Sequence, residues 1–262
     1  MHDTAYEIGG AFIREYIKRH PCVVVEIGSM DVNGSLRDHI DAGDVYLGLD
    51  VEHGKSVDLV IDPLKPLPLR DGFADIVLSS SQMEHDKFFW KTFLELIRVT
   101  KNGGYIYISS PSNGDYHSYP IDCWRFYPEA GLALSDWANA NGLPCTLIES
   151  FTAGRKNDNW NDYVAIFQKC PPELATPGER LSNGFTSYNV RTLGSDEVAN
   201  RSDRTEDFLL IAEARQRLAA AQDEIRALNE KIEVLERDLR AANARDVDQH
   251  GVREAADQAI AE

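Results

Sequence analysis

Two hydrophobic rhythms divide the chain. Up to about residue 170, short β-branched runs alternate with amphipathic stretches. The runs predict strands at 22–27 (CVVVEI), 45–49 (VYLGL), 57–61 (VDLVI), 74–79 (ADIVLS), 104–110 (GYIYISS), 145–151 (CTLIESF) and 162–168 (DYVAIFQ). Most are apolar at nearly every position, which suits a parallel sheet buried on both faces. Helical periodicity predicts helices over 4–18, 88–99 and 128–141. The expected fold is therefore α/β, a mostly parallel seven-stranded sheet flanked by helices. Only TAGRKNDNWN separates the last two strands, so a hairpin there would leave an antiparallel strand at the sheet edge.

The second rhythm begins near Glu206. From Pro171 to about Thr205 the chain is rich in Pro, Gly, Ser and Asn and has no sustained period, which reads as a linker with room for partial docking. Beyond it, Ile211, Leu218, Ile225, Ile232 and Leu239 share one heptad position, and Ala214, Ala221, Leu228, Leu235 and Ala242 fall three residues later. So narrow an apolar stripe needs another helix to bury it. We expect a folded domain at 1–172, a linker at 173–205, a coiled-coil helix at 206–247 and a polar tail at 248–262. Ile before Leu in the middle heptads leans toward a parallel homodimer, and the alanines leave a trimer open.

Composition narrows the function classes. The chain is 43% hydrophobic and 27% charged, ordinary for a globular protein, with a formal net charge of −16. That charge disfavours nucleic acid and anionic membrane surfaces as partners. Cys22, Cys123, Cys145 and Cys170 are scattered and form no CxxC pair, so neither a disulfide framework nor a zinc knuckle is expected. A cytoplasmic location follows, with the inner membrane face reached through partners as a further option. No apolar run approaches membrane-spanning length, and the start of the chain lacks the basic-then-apolar order of a signal peptide.

The densest chemistry lies in residues 23–40, VVVEIGSMDVNGSLRDHI. An apolar strand ends in Glu26, Gly28 permits a tight turn, and Gly34 precedes a stretch that reads as helix. Ligands of open α/β sheets gather beyond the carboxyl ends of the strands, where a Cβ would collide with a ligand lying against the backbone. The dinucleotide fingerprint GxGxxG fails, because Met30 and Asn33 fill its second and third glycine positions. Glu26 and Asp31 would also oppose a pyrophosphate. They suit a ligand with a positive amino group.

In these and later motifs the chain resembles the class I S-adenosylmethionine-dependent methyltransferases. Glu26-Ile-Gly28 with Gly34 is similar to that family's first motif, and Tyr46-Leu-Gly48-Leu-Asp50 to its second. Val57-Asp-Leu-Val-Ile-Asp62-Pro63 resembles the third, Phe73 through His85 the fourth, and Val99 through Tyr105 the turn into strand five. The resemblance spans about residues 20–170. It implies a Rossmann-like sheet, S-adenosyl-L-methionine as cofactor and S-adenosyl-L-homocysteine as product. The cofactor residues it implies are Glu26, Gly28, Ser29, Asp31, Gly34, Asp50, Asp62 and Ser80. Asp50 would accept both ribose hydroxyls, and Asp62 would face the adenine amino group. A helix cap for Asp50 and an ordinary turn for Asp62 are the plainer readings.

Methyl transfer to a hydroxyl needs an aligned nucleophile and a base on the loops beyond strands four and five. His85 and His117 are the candidate bases, with Asp122 as a third candidate catalytic residue. Residues 111–131 are dense in aromatic and polar groups. From them Tyr116, Trp124 and Arg125, with Asp158 and Trp160 before the last strand, are candidate acceptor-binding residues. Core packing is the rival reading for Trp124 and Phe126. His85, His117 and Asp122 match no recognised ligand spacing, so no metal is expected.

This loop, with EIGSMDVNGS, is similar to methyltransferases associated with bacterial surface-polysaccharide (O-antigen) assembly. That implies O-methylation of a sugar hydroxyl of a glycan or its precursor, with a further enzyme domain or a glycosyltransferase as partner. The alternatives are a small-molecule methyltransferase and a non-catalytic scaffold that recruits partners through its coiled coil.

Overall fold

The computed structural model describes residues 2–170 and 179–261, with side chains as far as residue 245. Its contacts divide into two units, Met1–Asp203 and Arg204–Glu262. The first unit opens with α1 (Asp3–Tyr16) and β1 (Val23–Ile27), followed by β2 (Val45–Asp50), β3 (Leu59–Val60) and β4 (Ala74–Ser80). Then come α2 (Phe89–Val99), β5 (Thr100–Pro111), α3 (Glu129–Ala140), β6 (Cys145–Ala153), β7 (Asp162–Lys169) and β8 (Ser187–Thr192).

The strands form one sheet in the order β3-β2-β1-β4-β5-β7-β6-β8. Neighbours from β3 to β5 are parallel, while β5–β7, β7–β6 and β6–β8 are antiparallel. The mostly parallel α/β expectation holds, with eight strands among the described residues in place of seven. The order reverses between β1 and β4, and this opens a crevice at their carboxyl ends.

Period-two alternation splits the core into two layers. Val25, Val77, Ile106 and Ile108 pack with Phe93, Leu96 and Ile97 of α2 and Leu134 and Ala138 of α3. Val24, Ile76, Leu78 and Tyr107 face the other way, onto Ile8, Phe12 and Ile13 of α1. Burying apolar side chains on both faces is what the near-continuous strand runs require.

Three expectations are corrected. β7 is not at the edge but lies between β5 and β6, bonded to both. All eight of its residues are buried, and so apolar a strand would be a pairing liability at an edge. The edge is taken by β8, which arises within the segment read as linker. In β8 only Ser187 and Val190 are buried, so its alternation is nearly invisible in sequence. The start of that linker, 173–178, lies outside the described residues. Finally, the stretch after Gly34 forms a single 3-10 turn, Leu36–His39, capped by the Ser35 hydroxyl. A following turn, in which Asp44 N–H donates to Asp41 C=O at 2.9 Å, ends it before β2.

The second unit is one helix, α4 (Glu206–Ala261), which continues through the stretch read as a polar tail. Its heptad residues Ile211, Leu218, Ile225, Leu228, Ile232, Leu235 and Leu239 are each at least half exposed in this single chain. Pairs such as Arg217–Glu213 and Arg240–Glu236 support the polar faces. Among the described residues no helix is long and apolar enough to cross a membrane.

Candidate active site

The first loop leaves β1 at the crevice. Gly28 has φ +78, and its N–H donates to the Leu49 carbonyl at 2.8 Å, tying the loop to β2. A Cβ on Gly28 would stand 2.6 Å from the Cβ of Gln82, and one on Gly34 (φ +117) 3.3 Å from the Tyr6 ring. Backbone conformation and protein neighbours therefore account for both glycines, where a ligand against the backbone was expected. Gln82 was not anticipated; its contact with Gly28 brings together residues from two strand ends that sequence leaves far apart.

The acids divide by partner. Asp50, half-buried at the end of β2, accepts the N–H groups of Met30 at 3.0 Å and Val51 at 2.7 Å. Glu26 is buried, with the Tyr46 hydroxyl donating to it, and burial pushes its carboxyl up to about 7. Asp31 meets Lys55 at 2.5 Å and the Gly34 N–H at 2.8 Å, and these contacts hold its carboxyl below the usual range. Asp62 is exposed and acts as the turn residue of the plainer reading. It accepts the Leu64 N–H at 3.0 Å and pairs with Lys65 at 3.1 Å.

Buried hydroxyls at the carboxyl ends of β1 and β4 are left over. The Oγ atoms of Ser29, Ser80 and Ser81 have no hydrogen-bond partner among the described residues. Buried polar groups are rarely orphaned, so these fit a polar ligand in the crevice. With Asp50 beside them, the set suits the hydroxyls and amino-acid end of a nucleoside cofactor.

Beyond β4 and β5 a row of rings assembles. The His85 and His117 ring centroids are 5.0 Å apart, His117 meets Trp160 at 4.9 Å, and Trp160 stacks on His2 at 4.6 Å. Four distant parts of the chain thus meet at one end of the sheet. The N-terminus is clasped further: Thr4 Oγ1 donates to Asp162 at 2.5 Å, Asn157 Nδ2 to Asp3 at 2.9 Å, and Lys156 Nζ to Glu7 at 2.5 Å. His2 carried no sequence signal.

Asp122 and Arg125 form an internal pair. Arg125 donates to both Asp122 oxygens, at 2.6 and 2.8 Å, and to the carbonyls of Asn113, Asp115 and Trp124. Asp122 also accepts the His117 N–H at 2.8 Å. The guanidinium beside it holds the Asp122 carboxyl down at about 2. These two side chains order the loop that presents His117 and have little capacity left for an acceptor.

Trp124 is partly core, donating to the Asp86 carbonyl at 2.8 Å and packing against Phe89 and Trp90. Asp158 accepts the Trp160 N–H at 2.8 Å, and Tyr116 is exposed. Glu84 is fully buried beside His85, and burial pushes its carboxyl up to about 8. Its backbone carbonyl accepts the N–H groups of Cys123 and Trp124, anchoring the loop to the end of β4. His85 is pushed below the ordinary histidine range, chiefly by burial.

Residues 38–108 match a protein family described as a methyltransferase domain. No curated protein matches the chain. Among solved structures, it is similar to the 1,6-didemethyltoxoflavin-N1-methyltransferase of Burkholderia thailandensis, bound to 1,6-didemethyltoxoflavin and S-adenosylhomocysteine. That likeness has 15% identity over 64% of this chain and 79% of the other, with a TM-score of 0.51. A S-adenosylmethionine-dependent methyltransferase from Aquifex aeolicus is similar at 14% identity over 63% of this chain and 93% of the other, with a TM-score of 0.41. The Burkholderia likeness is one of fold. Together, the match over residues 38–108 and the shared Rossmann-like fold support a methyltransferase domain.

Proposed function

We propose that the domain transfers a methyl group from S-adenosylmethionine to a hydroxyl of a sugar, in a bacterial glycan or its precursor. The observation that carries the reading is the pair of imidazoles at the crevice, their centroids 5.0 Å apart and flanked by Trp160. The cofactor supplies an electrophilic methyl on a sulfonium. Asp50 would accept its ribose hydroxyls, and Ser29 and Ser80 would offer their free hydroxyls nearby. Gly28, Asp31 and Gly34 keep the first loop in shape, and Glu26 and Asp62 would complete the cofactor set.

The acceptor oxygen must approach the methyl in line, and its proton must leave. His117, third-exposed and backed by Asp122, is the base we favour, with His85 as the alternative. Tyr116, Trp124 and Trp160 offer aromatic faces to a sugar ring, with Asp158 and Arg125 holding their loops. The stripe on α4 supports association of the chain as a dimer or trimer, which would array several sites along a polymeric acceptor.

Calorimetry with S-adenosylhomocysteine tests the reading. We expect one molecule bound per chain, with affinity at least about tenfold weaker in Asp50→Ala. Absence of binding would favour the scaffold instead.

A further inference from the structure

Glu84, His85 and His117 lie together beyond β4, with one possible ligand atom from each within 4.8 Å of the others. Glu84 is fully buried, and among the described residues neither of its carboxylate oxygens has a well-formed hydrogen bond, with the Ser110 hydroxyl beside them. Oε1 stands 3.6 Å from Nε2 of His85. The other nitrogen of that ring fixes its tautomer. Nδ1 contacts the carbonyl of Ile121, which can only accept, so Nδ1 carries the hydrogen and Nε2 a lone pair. A lone pair on Nε2 therefore faces the Glu84 carboxyl across a buried gap, which either a proton on that carboxyl or a cation in its place can fill.

We propose that Glu84, His85 and His117 bind a divalent transition-metal ion of the zinc type. Two imidazoles and one carboxylate are a borderline donor set suited to such ions. Three protein donors leave a coordination position for water or an acceptor hydroxyl, as catalytic zinc sites do. The supporting contacts exist: Ile121 orients His85, and Asp122 holds the His117 backbone. Arg125, whose charge reaches the cluster, is already neutralised by Asp122. Zinc bonds of about 2.0–2.1 Å set tetrahedral donors roughly 3.4 Å apart, so loading draws these atoms together by at most about 1.4 Å. His117, 34% exposed, provides the way in.

With the ion bound, the histidines hold it instead of taking the acceptor's proton, and the ion lowers the pKa of the oxygen it binds. Only that consequence rests on the methyl-transfer reading; the site itself does not.

The test is calorimetry of the chelator-treated full chain with Zn²⁺ alone. We expect one ion per chain, bound at least about tenfold more weakly by Glu84→Gln and by His85→Ala. A control is His20→Ala, in the exposed His20, Asp41 and Asp44 cluster, which should bind as wild type. Zn²⁺ should also raise the melting temperature of the wild type but not of Glu84→Gln, which keeps the volume of the side chain. No binding, or binding lost in His20→Ala and kept in Glu84→Gln, overturns the proposal. Titrating the same preparations with S-adenosylhomocysteine separates its failure from failure of the methyl-transfer reading.

Discussion

Arg125 grips both oxygens of Asp122, Nη1 on Oδ1 at 2.6 Å and Nη2 on Oδ2 at 2.8 Å, with the Asp122 side chain only 3% exposed. The pair is an ionic staple inside the loop that carries His117. Removing one partner strands a buried charge, so Arg125→Ala should cost about 3 kcal/mol or more in urea denaturation. Arg125→Lys should recover little, since one ammonium cannot replace the two-pronged contact. A loss below about 1 kcal/mol in Arg125→Ala would contradict the staple.

Stability should fall as pH rises through the neutral range in the metal-free protein. Burial raises Glu84 to about 8 and Glu26 to about 7, from 4.5 in the unfolded chain. Between those values the folded protein keeps protons that the unfolded chain has released, so alkali favours unfolding. Melting temperatures at about pH 5 and pH 8 check this, and Glu84→Gln should flatten the difference. Asp122 has the opposite sign: held near 2, its contribution disappears as pH drops from about 4 toward 2.

His117→Ala should lower turnover by about a hundredfold or more while leaving S-adenosylhomocysteine affinity within about threefold. Single-turnover assays beside calorimetry separate the two effects. Full activity in His117→Ala, with loss in His85→Ala, would move the base to His85.

Truncation after Thr205 should yield a monomer that binds cofactor as well as the full chain, because the sheet carries both of its own core layers. The full chain should sediment as a dimer or trimer. A full-length monomer at micromolar concentration would remove the coiled coil.

Legibility in the sequence followed the range of the forces involved. β1, β4 and β7 were readable because residues such as Val24 and Val25 are apolar on both faces. β8 was not, because SYNVRT buries little and takes its register from β6. Glu26 was recognisable as a strand-end acid, but the Tyr46 hydroxyl that meets it belongs to the neighbouring strand. Asp122 and Arg125 stood three residues apart in plain view, yet nothing local said that each would consume the other. The contact of His85 with Ile121 and the exposure of Glu84's lone pairs to Nε2 exist only once two loops have met.

The clasp at the start of the chain has a practical side. With His2 lying flat on Trp160, and Asp3 and Glu7 tied to the same β6–β7 segment, an affinity tag fused ahead of residue 2 would crowd the ring that borders His117. Assays on amino-terminally tagged enzyme should report too little turnover until the tag is cleaved.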